Sequence, residues 1–234
     1  MPALLRSAPG GGSLRRRKAL AAISACLLAQ ASDAAAQAAA PPVRIMALGD
    51  SLTAGFGLPR NEGFVAQLQA ALRGAGFPTL SVIDAGVSGD TTAGGRARLD
   101  WALADRPHGA IVALGGNDGL RGLPPAATAQ NLAAIMDRLV DRERLPVLLA
   151  GMLAPPNLGA DYGREFAHAF ARQAERAGVI WYPFFLDGVA AERALNQPDG
   201  IHPNAQGVAE MVRRILPQAT ELARRASAVA AERP

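Results

Sequence analysis

The sequence predicts an α/β fold of three layers: a central parallel sheet of about five strands, covered by helices on both faces, in a flavodoxin-like order. Three observations predict it. Five short apolar runs, at 43–49, 79–85, 109–115, 146–151 and 178–183, lack the regular alternation of a half-exposed strand. Strands buried on both faces have that character. Between the runs lie segments with apolar residues at helical spacing, and a βαβα alternation closes as a parallel sheet. Finally, half of the 234 residues are hydrophobic but only 5% are aromatic, so the core is one of Ala, Leu, Val and Ile, ample for a domain.

Residues 1–38 are expected to be an export signal. Arg15, Arg16, Arg17 and Lys18 precede an apolar stretch over 19–31, too short to span a bilayer, and Ala36-Gln37-Ala38 is a plausible cleavage site. The Arg-Arg-Lys run also resembles a twin-arginine signal, and Ile23-Ser24-Ala25-Cys26 resembles a lipobox. The expected location is therefore periplasmic or secreted, with lipid anchoring at Cys26 the lesser alternative. Cys26 is the sole cysteine, so a chain cleaved beyond it has neither a disulfide nor a thiol nucleophile. This segment alone carries a net +4, the whole formal charge of the chain. The remainder is near neutral, with arginines dispersed among acids, which excludes a basic stripe for nucleic acid.

Residues 39–42 form a short linker, kept extended by Pro41-Pro42. The run 43–49 is the first strand and ends at Gly49-Asp50-Ser51-Leu52. A helix over 62–73 presents Phe64, Val65, Leu68 and Leu72 on one face. The second strand, 79–85, is followed by Ser88-Gly89-Asp90. The third, 109–115, runs into Gly115-Gly116-Asn117-Asp118. A helix over 126–142 carries Leu132, Ile135, Met136, Leu139 and Val140. The fourth strand, a helix over 162–177 and the fifth strand lead to Asp199-Gly200-Ile201-His202-Pro203 and a last helix over 205–225. Residues 226–234 are expected to be a frayed tail, leaving 43–225 as the folded domain.

Ligands of open α/β sheets bind beyond the carboxyl ends of the strands, and four polar blocks fall there. Ser51 follows the first strand and is either a nucleophile or a helix N-cap. His202 is the one histidine of three at the right end of the sheet; His108 precedes the third strand and His168 lies mid-helix. Asp199, three residues earlier, can hold the Nδ1 proton and leave Nε2 facing Ser51; alone, the pair could equally be a turn-capping Asp199 and a His202 beside Pro203 at a helix start. The backbone N–H groups of Ser51 and Gly89 and the side chain of Asn117 are candidate oxyanion donors. Alone, Gly89 could be a turn glycine and Asn117 an Asx-turn residue. Asp50, Asp90 and Asp118 read as loop-ordering residues. Leu120, Leu123, Pro155 and Leu158 are candidate acyl contacts. No G-x-S-x-G elbow is present.

These blocks resemble a GDSL-type SGNH hydrolase, whose four letters map onto Ser51, Gly89, Asn117 and His202, with similarity from about Val43 to Leu216. Gly89-Asp90-Thr91, Gly115 to Gly122, Asn157 to Phe170, Pro183-Phe184-Phe185 and Asp199 to Asn204 resemble in particular its periplasmic multifunctional thioesterase/lysophospholipase/arylesterase branch. The resemblance implies a three-layer SGNH hydrolase fold, no metal or organic cofactor, and hydrolysis of carboxylic ester and thioester bonds of small molecules (aryl esters, acyl thioesters, lysophospholipids) through an acyl-serine. It implies that 153–160 belongs to a mobile acyl-binding loop, which Pro155-Pro156 should stiffen here. Neither a membrane span nor a nucleic-acid partner is expected, and the protein is expected to be a monomer. The competing readings are a carbohydrate O-acetyl esterase of the same superfamily, a non-enzymatic binding module, and a metal-dependent hydrolase built on Asp50, Asp118, Asp199 and His202.

Overall fold

The structure, a computed structural model, describes residues 42–233. The expected export signal, Cys26 and most of the expected linker lie outside the described residues. Five parallel strands, β1 (Val43–Gly49), β2 (Leu80–Gly86), β3 (Gly109–Ala113), β4 (Val147–Ala150) and β5 (Val179–Tyr182), pair in the order β2-β1-β3-β4-β5. The three inner strands are almost wholly buried, whereas the edge strands β2 and β5 show partial alternation. An edge strand is covered less completely, so its sequence tolerates polar residues on the open side.

The helices are α1 (Ser51–Ala54), α2 (Phe64–Gly74), α3 (Thr92–Ala97), α4 (Leu99–Ala102), α5 (Gly116–Leu120), α6 (Pro125–Met136), α7 (Ala160–Ala174) and α8 (Ala205–Glu232). From β1 the chain moves outward to β2, then reverses across β1 to β3 and continues to β4 and β5. Right-handed crossovers put helices from opposite directions on opposite faces. Accordingly α2 packs with α8, and α3 and α7 pack against α6 on the other side. The reversal lies between β1 and β3 and opens a crevice at their carboxyl ends.

Register aligns the strand ends. Gly49 pairs with Gly86 on one side and Ala113 on the other, and Ala150 pairs with Tyr182. The segments that follow β1, β2 and β3 therefore start from one level. Close approach at that level requires glycine: a Cβ on Gly86 would lie 2.5 Å from the Ala54 nitrogen of α1.

Two helices differ from expectation. The helix predicted over 126–142 is α-helical only to Met136 and continues as a π-helical turn, Asp137–Arg142. The last helix does not stop at Arg225, and the expected frayed tail is part of it to Glu232. Ala219, Leu222, Ala223, Ala226 and Ala230 are fully buried along one stripe. Their small side chains let α8 lie close to the sheet, where Ala226 faces Gly109 at the start of β3.

Candidate active site

Asp50 caps α1, its Oδ1 accepting the Leu52 N–H at 3.0 Å, and this sets Ser51 at the first helical position just beyond β1. Ser51 is nearly buried and its Oγ lies 2.9 Å from His202 Nε2. His202 comes from a narrow hairpin before α8. Asn196 and Pro203 form an antiparallel bridge, and Gln197 N–H donates to His202 O at 2.7 Å. The base of the hairpin is fixed by Asn204, whose Oδ1 accepts the Gln206 and Gly207 N–H groups as the N-cap of α8.

Asp199 sits at the hairpin tip. Its Oδ2 lies 2.7 Å from His202 Nδ1, and its Oδ1 accepts the N–H groups of Ile201 at 2.9 Å and His202 at 3.0 Å. The His202 N–H, then the imidazole, then the Ile201 N–H hold this carboxyl down at about 2. An ionised carboxylate only accepts, so Nδ1 carries the proton and Nε2 is left to accept from the Ser51 hydroxyl.

Of the candidate oxyanion donors, the N–H groups of Ser51 and Gly89 have no protein acceptor among the described residues. Asn117 Nδ2 donates to the Asp90 carbonyl at 2.9 Å and approaches Asp50 Oδ2 at 3.4 Å. Asn117 reaches this place because Gly115, at φ 108, turns β3 into α5; a Cβ there would lie 2.7 Å from the Phe170 ring.

A cleft of about 560 Å³ opens beside Ser51, Asn117 and His202. Of the four candidate acyl contacts, Leu120 and Pro155 line it. Leu123 and Leu158 do not: Leu123 offers its carbonyl to Tyr162 Oη at 2.7 Å, and Leu158 turns toward Gly122. The Pro156–Leu158 turn of 3₁₀ helix swings Leu158 away, while Leu153, Ala154 and Pro156 face the cleft. Met152, Phe184, Leu186 and Ile201 complete its apolar wall and were not anticipated. Neither was Phe56, whose ring covers that of His202 at 4.6 Å between centroids, nor Gln197, whose amide ties Phe56 O at 2.7 Å to Pro203 O at 3.0 Å.

The remaining polar candidates are occupied elsewhere. Asp118 accepts from the Thr92 N–H at 2.8 Å and from the hydroxyls of Thr92 and Thr128, joining the segments after β2 and β3. His108 is buried at the opposite pole, its Nδ1 accepting the Arg44 N–H; burial, then the Arg44 charge, lowers its pKa. His168 is exposed on α7. Asp50, Asp118, Asp199 and His202 do not converge, and among the described residues no three His, Cys, Asp or Glu side chains are grouped to hold a metal ion.

Residues 47–209 match the model of the GDSL-like Lipase/Acylhydrolase family. Esterase TesA of Pseudomonas aeruginosa is 39% identical over 174 residues, 74% of this chain and 86% of that one. Thioesterase 1/protease 1/lysophospholipase L1 of Escherichia coli is 36% identical, covering 68% and 75%. Among solved structures, that of TesA superposes with a TM-score of 0.71 at 38% identity, covering 76% of this chain and 99% of that one. AlinE4, an SGNH-hydrolase family esterase, gives 0.64 at 47% identity, covering 76% and 95%.

Proposed function

Because the chain belongs to the GDSL-like lipase/acylhydrolase family, we propose that it is a serine esterase hydrolysing carboxylic esters and thioesters through an acyl-serine. One observation carries the reading: the hydrogen-bonded chain Ser51–His202–Asp199 opens onto an apolar cleft. His202 Nε2 takes the Ser51 proton as Oγ attacks the acyl carbonyl. Asp199 holds the ring and stabilises the imidazolium. The negative oxygen is held by the N–H groups of Ser51 and Gly89 and by Asn117 Nδ2–H. The imidazolium then protonates the departing alcohol or thiol. Water, deprotonated by His202, releases the acid and restores Ser51.

The relatives' names include esterase, arylesterase, thioesterase and lysophospholipase, so aryl esters, acyl thioesters and lysophospholipids are the proposed substrates. An apolar wall of Leu120, Met152, Leu153, Phe184 and Leu186 suits an acyl chain better than an acetylated sugar. The proposed site of action is the periplasm or the exterior, on the strength of Arg15 to Lys18 and the apolar stretch that follows.

The test is hydrolysis of p-nitrophenyl esters from acetyl to palmitoyl by the wild type and Ser51→Ala. The variant is expected to lose activity by about 10⁶-fold. Equal turnover by both proteins would remove Ser51 as the nucleophile, and a strict preference for acetyl would favour the sugar-ester reading.

A further inference from the structure

The three candidate oxyanion donors stand on three segments, following β1, β2 and β3. Ladder hydrogen bonds fix strands to one another but not the loops beyond them. An oxyanion hole needs its donors preorganised around one point, so contacts beyond the ladder must set their spacing. Asp118 joins the segments after β2 and β3 through Thr92, and the Val87 N–H reaches Gly49 O at 3.1 Å, but neither bonds to the Asn117 side chain.

Arg98 is placed to do this. It lies at the junction of α3 and α4. Its Nη2 donates at 2.9 Å to the carbonyl of Gly49, two residues before Ser51. Its Nε donates at 2.6 Å to Oδ2 of Asp90, the residue after Gly89. The backbone carbonyl of the same Asp90 accepts Asn117 Nδ2–H at 2.9 Å. One guanidinium thus reaches the β1 segment directly, the β2 segment through the Asp90 carboxylate, and Asn117 through the Asp90 main chain. The Arg98 and Asp90 side chains are each only 17% exposed, so solvent screens their contact weakly. The rigid guanidinium plane sets the separation of the two groups it holds, which a lysine could not do. Asn117 gives one amide hydrogen to Asp90. The other makes a long bond of 3.4 Å to Asp50 Oδ2, which an arriving oxyanion would replace.

We propose that Arg98 is a positioning residue that holds the oxyanion donors Ser51, Gly89 and Asn117 in register. The proposal rests on the esterase reading above. Arg98 does not touch substrate; it acts through Gly49 and Asp90.

The test compares wild type, Arg98→Ala, Arg98→Lys, Asn117→Ala and the double variant Arg98→Ala/Asn117→Ala on one p-nitrophenyl ester. Arg98→Ala is expected to lower kcat by about 10- to 100-fold with KM nearly unchanged, a fraction of the 10²–10³ for a lost donor. Arg98→Lys, which keeps the charge and most of the volume, should recover little of that loss. The double variant should be slower than Asn117→Ala by less than the Arg98→Ala factor, because the two act on one assembly. Losses that multiply, a loss confined to KM, or full recovery by Arg98→Lys would overturn the proposal. A readout independent of turnover is the Asn117 side-chain amide in NMR spectra of Ser51→Ala. Its exchange with solvent should accelerate when Arg98→Ala is added, while core backbone amides stay protected. An unchanged Asn117 signal would reject the role of Arg98 even if no ester proved to be a substrate, whereas absent wild-type turnover with the expected NMR change would reject only the esterase reading.

Discussion

At position 50 a carboxylate sits 1% exposed beside the proposed nucleophile. Burial lifts its pKa from 3.8 to about 6, against the opposing pull of the Leu52 N–H, the His202 charge and the Asn117 amide. The folded protein therefore holds this proton more tightly than the unfolded chain. Stability from this group is full below about 3.8 and is lost as pH rises through about 6. An Asn keeps an oxygen for the Leu52 N–H without the charge. Asp50→Asn should thus be more stable than wild type at pH 8, by up to about 3 kcal/mol, with the gap closing at pH 3.5. Denaturant unfolding of both proteins at the two pH values checks this, and a gap that does not change with pH would remove burial of charge as its source. Ser51, Asp199 and His202 could be picked out from the sequence because each has few chemical alternatives and Asp199-His202 is a local pair. Phe56, Gln197 and Arg98 could not. Each has a partner far along the chain, Gln197 and Phe56 being 141 residues apart and Arg98 and Gly49 being 49 apart, and no local pattern marks such a contact. Leu123 and Leu158 show the converse: apolar loop residues near the right edge, turned away from the cleft by a backbone path that composition does not reveal.

At the scale of elements, α8 shows what propensity leaves open. Its last turns are Ala- and Arg-rich and read as a fraying end, yet Ala226 and Ala230 are fully buried. The helix carries two similar acid–arginine forks, Glu210 with Arg213 and Arg214, and Glu221 with Arg224 and Arg225. These lie on its wetter side and add little to stability. The burial does more. Ending the chain after Arg225 exposes the stripe's end and should lower stability by about 2 kcal/mol, from two buried methyl groups at about 0.8 kcal/mol each and the helical turn they anchor. Thermal and urea unfolding of the shortened protein would show it. An unchanged midpoint would mean the last turn contributes nothing to the fold.

For the whole molecule, the strand order puts Ser51, Gly89, Asn117, Asp199 and His202 at one pole. Phe56, Val87, Leu120, Leu153 and Ile201 are also exposed there, one from the segment after each of the five strands. The opposite pole holds His108 with Arg44, Arg106 and Arg233, and the serine in register with Arg44, Ser81, gives its hydroxyl to the Val43 carbonyl at 3.4 Å rather than to a histidine. A serine-directed alkyl phosphonate should therefore abolish ester hydrolysis by covalent attachment at Ser51, identifiable by peptide mass. Prolonged dialysis against a chelator should leave activity unchanged, since the carboxylates near Ser51 are separately engaged. Loss of activity on chelation with Ser51 unmodified would replace the acyl-serine route with a metal-dependent one.

The sequence by itself determined the fold class and the kind of chemistry available. Burial on both faces removes alternation from the inner strands, and that is a local property readable residue by residue. The residue types at the strand ends are local as well. Only the tertiary structure decided which of them meet. Ser51 and His202 are 151 positions apart, and their 2.9 Å contact depends on strand register, on the reversal between β1 and β3, and on the hairpin pinned by Asn204. The same holds for the cleft wall and for Arg98. Such contacts arise from the relative placement of loops, and loop placement is set by packing summed over the whole sheet rather than by any window of sequence.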